Sequence, residues 1–281
     1  MLEFKNVSYL YGKNTPFEKV AVNDISFTVE DDCVTGLIGH TGSGKSTLAQ
    51  MMNALLKPTS GTVLLDGEDI HAKGYNTVGV RYKVGMVFQY PEYQLFEETI
   101  YKDIAYGPTN MNLSKEEIDK RVRDAARFVG LTDDMLEKSP FDLSGGQKRR
   151  VAIAGVMAMD PSVLVLDEPA AGLDPRGRNE ILSHIMAYRK ERRNSVVIIS
   201  HSMEDVAVYA DRIIAVDHGK VLTTGTPKEV FSQHTLLHDA GLDVPEVTEV
   251  LIKLKAMGME VDEKQITVDG AVEELLRVFG R

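Results

Sequence analysis

The spacing of apolar residues changes character several times along the chain, and each change predicts a different element. Leu2, Phe4 and Val7, then Ile25, Phe27 and Val29, follow the period of strands with one covered face. Gly12 to Pro16 interrupts them with turn-forming residues, so an antiparallel N-terminal sheet is expected. At Val34-Thr35-Gly36-Leu37-Ile38-Gly39 an apolar run meets glycines and passes into a helical stretch from Ser46 to Leu56, closed by Pro58. The runs Ser162 to Leu166 and Val196 to Ile199 do not alternate, as in parallel strands that helices cover on both faces. The fold class that follows is α/β, with a parallel-sheet core.

Between these runs, Ser114 and Glu117 form a capping-box pattern ahead of Ile118, Val122, Ala125 and Val129, which share one helix face. The texture changes again near Thr235. Val247, Leu251 and Leu254 precede Gly258; Val261, Ile266 and Val268 predict short strands; Val272, Leu275, Leu276 and Phe279 predict a last helix. A main unit over residues 1–234 followed by a small α+β C-terminal subdomain over 235–281 is the expected organisation.

Composition narrows the partners. Asp and Glu number 42 against 32 Lys and Arg, and the net charge of −10 argues against nucleic acid, whose binding relies on cationic side chains displacing counterions. Cys33 is the single cysteine, so an intrachain disulfide and cysteine-rich metal sites are excluded, and a reducing, cytosolic setting is expected. Met1 to Lys5 carries no apolar leader, and Val151 to Met159 falls short of the ~20 residues that span a bilayer. A membrane role would therefore need a separate membrane partner.

Three segments carry chemistry. Gly39-His40-Thr41-Gly42-Ser43-Gly44-Lys45-Ser46-Thr47 fits the phosphate-loop pattern G-x-x-x-x-G-K-[ST] in the strand-to-helix setting that it needs. Its glycines let successive N–H groups turn inward, Lys45 can reach the outer phosphates, and the Ser46 hydroxyl is placed for Mg²⁺. Val163-Leu164-Val165-Leu166-Asp167-Glu168 ends a buried strand in two carboxylates, of which Asp167 can face a metal and Glu168 an attacking water. Leu143-Ser144-Gly145-Gly146-Gln147 opens a helix and offers a second anion cradle. Either both cradles meet within one chain, or the second serves a nucleotide held by another subunit; spacing leaves both open.

Taken with Gln89, Ala171-Gly172-Leu173-Asp174 and His201, these segments resemble the ATP-binding cassette (ABC) ATPase family, in its usual order over about residues 1 to 232. The resemblance implies an ABC cassette over 1–234, with an N-terminal antiparallel β-subdomain and a helical signature subdomain at about 90–160, then a dimerisation-type extension at 235–281. It implies ATP and Mg²⁺ as cofactors, with Ser46, Gln89 and Asp167 on the metal and Glu168, His201, Lys45 and Gln89 in hydrolysis. Tyr11 matches the residue that stacks on adenine, although a packed core tyrosine fits as well. Ser144 to Gln147 becomes the signature loop that meets ATP on the opposite chain of a head-to-tail dimer. Asp174 becomes the aspartate that links the two sites, and His40 and Thr41 supply backbone amides.

Phe88-Gln89-Tyr90-Pro91-Glu92-Tyr93-Gln94-Leu95-Phe96 looks like the corresponding stretch of energy-coupling factor (ECF) and cobalt-type ATPases. With Asn14 to Glu18 and the phosphate loop, the chain is most similar to the second ATPase subunit of ECF vitamin and metal uptake systems. That implies a peripheral ATP hydrolase at the cytoplasmic membrane face, paired with a second ATPase subunit and docked on a transmembrane coupling protein that serves substrate-binding membrane proteins. A homodimeric cobalt- or nickel-type motor, a generic importer ATPase and an ATP-gated assembly clamp are the alternatives. Ala170 departs from relatives that carry Ser or Thr there, which removes a hydroxyl but no group assigned to hydrolysis.

Overall fold

The computed structural model describes residues 1–280. The chain opens with the hairpin β1 (Leu2–Tyr11) and β2 (Lys19–Val29), then crosses to β3 (Val34–Ile38) and, through the glycine loop, to α1 (Lys45–Met52). Strands β4 (Ser60–Leu65) and β5 (Glu68–Asp69) return to the first sheet, and α2 (Thr77–Lys83) leads into β6 (Val84–Val87). Helices α3 (Ile100–Asn110), α4 (Lys115–Phe128), α5 (Asp133–Leu136) and α6 (Gly145–Met157) follow, then β7 (Val163–Asp167), α7 (Pro175–Arg192), β8 (Ser195–Ile199) and α8 (Met203–Tyr209). The hairpin β9 (Arg212–Asp217) and β10 (Lys220–Gly225) precedes α9 (Pro227–Phe231), α10 (His234–Asp239), α11 (Glu246–Ala256) and α12 (Val268–Phe279).

Two sheets form, as expected. One is four-stranded and antiparallel in the order β2-β1-β4-β5; the other is six-stranded in the order β10-β9-β3-β8-β7-β6 and parallel from β9 to β6. The unalternating strands are explained by where their side chains go. Val163 and Val165 of β7, with Val197 and Ile199 of β8, pack with α1 and the antiparallel sheet. Leu164, Leu166, Val196 and Ile198 point the other way, into the cluster built by α3, α4, α6 and α7. Both faces are dry, so only the carboxyl ends of these strands offer polar groups to a ligand.

Local signals set the helix starts. Ser144 accepts from the Gln147 N–H while Gln147 accepts from the Ser144 N–H, a reciprocal box that starts α6. At α4 only half of the expected box forms: Ser144's counterpart Ser114 accepts from the Glu117 N–H, but the Glu117 carboxylate takes Arg121 at 2.7 Å instead. Helix α1 stops at Met52 rather than Leu56, because Ala54 turns left-handed at φ 56°.

The C-terminal segment corrects one expectation. Residues 259–267 form no strand, and the described part of the extension is built from α10, α11 and α12 without a β component. Its backbone is satisfied locally instead: the Thr248 hydroxyl donates to the Gln265 carbonyl at 2.7 Å, and the Asp262 N–H donates to Glu274 at 2.5 Å. Val261 fills the gap between the helices with Leu251 and Ala271, and Val268 opens α12 behind the Thr267 cap.

One buried ion pair ties the helical layer to the strand ends. The Arg149 guanidinium, 3% exposed, grips both oxygens of Glu92 at 3.0 and 2.8 Å and donates to the Ala171 carbonyl beyond β7. Burial pushes the Glu92 carboxyl up, but the Arg149 hydrogen bond and charge outweigh this and hold it below its usual range. Arg149→Ala strands Glu92 without a counter-charge and should lower the unfolding free energy by about 3 kcal/mol in equilibrium denaturation. Arg149→Lys should recover less than half, since an ammonium lacks the two-pronged fork; an unchanged midpoint in Arg149→Ala would refute the assignment.

Candidate functional site

A cleft of about 320 Å³ opens beyond the carboxyl ends of β3, β7 and β8. Its wall holds Tyr11, Thr41, Gly42, Gly44, Lys45, Ser46, Thr47, Gln89, Asp167, Glu168 and His201. These residues lie far apart in sequence and converge only through the strand order.

The glycine loop needs its glycines for close approach. At Gly44, φ is 107° and an added Cβ would stand 2.5 Å from the Ala21 carbonyl; at Gly39 it would collide with the Val216 carbonyl. The loop curls around Lys45, whose Nζ donates to the carbonyls of Gly39 at 2.6 Å and His40 at 3.0 Å. Burial lowers the pKa of this amine, partly offset by Glu168 and Asp167. An ammonium has three donors, so one remains for a ligand. Ser43 is wholly buried, and its hydroxyl has no partner.

The two carboxylates behave differently. Strand β7 ends at Asp167, and Glu168 breaks it with a left-handed φ of 52°, a conformation that costs energy in a non-glycine residue. Asp167 is 8% exposed; burial raises its pKa, opposed by the Ser46 hydroxyl and the charges of Lys45 and His201. Glu168 is pushed up to about 7, chiefly by burial and then by the charge of Asp167. Its Oε1 is buried without a hydrogen-bond partner. His201 Nε2 stands 3.4 Å from that oxygen, and burial with the nearby Lys45 charge lowers the imidazole pKa, so the ring is held neutral at pH 7. Ser46, Asp167 and Gln89 offer a hydroxyl, a carboxylate and an amide, a hard-oxygen donor set that fits Mg²⁺.

Other predicted residues sit elsewhere or do additional work. Tyr11 is not a core residue: it is 42% exposed at the cleft edge, with its hydroxyl 3.1 Å from Thr47 Oγ1. Ser144, Gly145, Gly146 and Gln147 do not line this cleft, and a Cβ at either glycine would point into open space. Asp174 caps α7, accepting from the Gly177 N–H at 2.7 Å. His40 contributes more than a backbone amide, since its Nε2 meets Asp217 Oδ1 at 2.9 Å. Lys19 also lines the cleft and was missed; it is the cross-strand partner of Tyr11, so the hairpin register would have found it.

A glycine cradle at a helix start, facing a strand-end carboxylate pair, defines a P-loop nucleotide hydrolase. A family profile described as ABC transporter matches residues 22–171. The energy-coupling factor transporter ATP-binding protein EcfA2 of Clostridium tetani is 51% identical over 99% of this chain and 97% of its own. EcfA2 of Caldanaerobacter subterraneus subsp. tengcongensis is 48% identical over 98% and 96%. Among solved structures, cbiO1 from Clostridium perfringens, part of the ABC transporter complex cbiONQ, superposes with a TM-score of 0.74 at 38% identity, covering 85% of this chain and 93% of that one. The dimeric bacterial ABC transporter cassette MJ0796 gives 0.70 at 26% identity, over 81% and 99%. The chain therefore belongs to the ABC transporter ATPases, and within them to the energy-coupling factor ATP-binding proteins.

The raised Glu168 pKa has a signed consequence for stability. The folded state favours the protonated acid, so ionised Glu168 costs stability, fully above about 7 and not at all well below its ordinary 4.5. Glu168→Gln should thus raise the unfolding free energy at pH 8, by about 3 kcal/mol at most, and the gain should fade as pH drops towards 5. Matching thermal midpoints of variant and parent at pH 8 would contradict the buried-charge reading.

Proposed function

We propose that this chain is the ATP-hydrolysing subunit of an ECF-type importer of vitamins or metal ions, working in a dimer of cassettes docked on a transmembrane coupling protein. The observation that carries the dimer is the separation of the two cradles: the Ser144 turn lies outside the cleft that Lys45 lines, with its glycines facing open space. The N–H groups of Gly145 and Gly146 at its helix start are suited to complete a site on another chain. No helix among the described residues is long and apolar enough to cross a membrane, which suits a motor at the cytoplasmic face that borrows its membrane span.

The proposed roles combine the family resemblance with the geometry of the cleft. The backbone N–H groups from Gly39 to Thr47 and the Lys45 ammonium bind the phosphates, Tyr11 stacks on the base, and Ser46, Asp167 and Gln89 hold Mg²⁺, which neutralises phosphate charge when bound. Glu168, with an unpartnered oxygen and a pKa near neutrality, is suited to take a proton from the attacking water. Neutral His201 donates a hydrogen bond to the terminal phosphate without adding charge. Asp174 places the loop between the two sites of the dimer.

Exposed apolar surface supports the partner contacts. Tyr93 is 84% exposed and faces Tyr90 at 6.3 Å, and Phe96 packs edge-on against Tyr106 at 5.0 Å, so the stretch after Gln89 presents aromatic surface suited to a coupling helix that moves when the terminal phosphate is sensed. On α12, Val272, Leu276 and Phe279 form an uncovered face suited to a second ATPase subunit.

Glu168→Gln should retain ATP binding and lose turnover at least about a hundredfold; parental turnover would remove Glu168 as the base. In the parent, turnover should fall as pH drops through about 7, because the base must be ionised. Leu276→Glu combined with Phe279→Ser should weaken subunit association in analytical ultracentrifugation; undiminished association would count against the α12 contact. Purification from detergent-solubilised membranes should recover a second, different cassette with one transmembrane scaffold, whereas recovery of a second identical copy would favour the cobalt-type motor.

A further inference from the structure

Two histidines and an aspartate meet where the phosphate loop touches the β9–β10 turn. The His40 ring faces an acceptor on each side. Its Nδ1 lies 2.8 Å from the Thr41 carbonyl, which only accepts, so a proton is fixed there. Its Nε2 lies 2.9 Å from Asp217 Oδ1, which as a carboxylate also only accepts. A neutral imidazole has one N–H, so with the proton on Nδ1 the Nε2 lone pair faces the carboxylate, an arrangement that a shared metal ion would satisfy. An Nδ1–H bonded to a backbone carbonyl is the bond that orients an imidazole to ligate through Nε2.

His218 supplies a third donor. Its Nε2 is 3.7 Å from the same Asp217 oxygen, and its ring meets the His40 ring edge-on at 5.1 Å. The donor atoms of the three residues lie within 4.8 Å of one another, and no other trio of His, Cys, Asp or Glu among the described residues does so. Neighbouring donors around tetrahedral zinc stand about 3.4 Å apart, so the two separations from Asp217, 2.9 and 3.7 Å, need adjustment by about half an ångström or less, and the two imidazole donors, within 4.8 Å of each other, close by movement of His218. His218 is largely exposed at the turn and can move.

We propose that His40, Asp217 and His218 bind a zinc-class divalent transition metal ion, with a fourth position open to water, and that the bound ion locks the phosphate loop. Two imidazoles and one carboxylate suit zinc; magnesium, which prefers oxygen donors, does not compete. The lock follows from what the cluster touches. The His40 carbonyl holds Lys45 Nζ at 3.0 Å, and the Gly219 N–H of the turn donates to the Ser43 carbonyl at 3.1 Å. An ion that pins His40 to the turn holds that carbonyl on Lys45 and opposes its transfer to a phosphate. Zinc thereby slows the nucleotide cycle from outside the cleft.

The test uses the full-length, nucleotide-free chain in excess Mg²⁺, titrated with Co²⁺ and followed by d–d absorption, with Zn²⁺ as the displacing ion. One equivalent should bind. His218→Asn, which tolerates the left-handed φ of 45° at this turn, should weaken binding at least about tenfold. Equal affinity in the variant, or no stoichiometric binding by the parent, would overturn the site. In hydrolysis assays Zn²⁺ should slow the parent and leave His218→Asn at its zinc-free rate, which should match the parent's; equal inhibition of both would overturn the lock. The cobalt titration does not depend on hydrolysis, so failure of this site is distinguishable from failure of the ATPase reading.

Discussion

A buried ammonium held by backbone carbonyls is the constraint around which this molecule is arranged. Lys45 is 7% exposed and bonded to Gly39 and His40. Removing a charge from water this far is costly unless polar groups surround it, and those groups come from a backbone curl that glycine alone allows at Gly39 and Gly44. The curl needs a strand behind it and a helix in front, which β3 and α1 supply. The carboxylates of Asp167 and Glu168 offset part of the burial cost of Lys45, while the charge of Asp167 raises the proton affinity of Glu168. The same arrangement that keeps Lys45 charged keeps Glu168 near the point of protonation.

The sheet explains why these groups can be tuned at all. Its middle strands are covered on both faces, so β7 and β8 deliver their terminal polar residues into a region that water enters from one side. Burial then acts strongly on Asp167, Glu168 and His201 together. Arg149 ties this region to the helical layer. Its grip on Glu92 and on the Ala171 carbonyl joins the stretch after Gln89, helix α6 with the signature turn, and the loop beyond Glu168. The stretch after Gln89 and the loop beyond the carboxylates are thus held by one buried fork.

Much of this was readable from the residues in order. The phosphate loop, the strand ending in Asp167 and Glu168, and the cap at Ser144 depend on neighbours a few positions apart, so their patterns survive in a linear string. The apolar runs of β7 and β8 likewise announced a sheet covered on both sides. The stretch 259–267 misled because apolar spacing carries a strand only where an edge is free to pair, and here Thr248, Glu274 and Asp262 bind the backbone instead. Lys19 was hidden because its place depends on the register with Tyr11 across the hairpin.

The order of residues alone determined the α/β class, the phosphate cradle and the chemical types available to it, since each rests on local backbone preference and short-range spacing. Only the tertiary structure decided which distant groups meet. Asp217 reaches His40 across 177 positions, and Glu92 reaches Arg149 across 57. Such contacts are fixed by strand order and packing, and their energies come from burial that no single segment can create for itself.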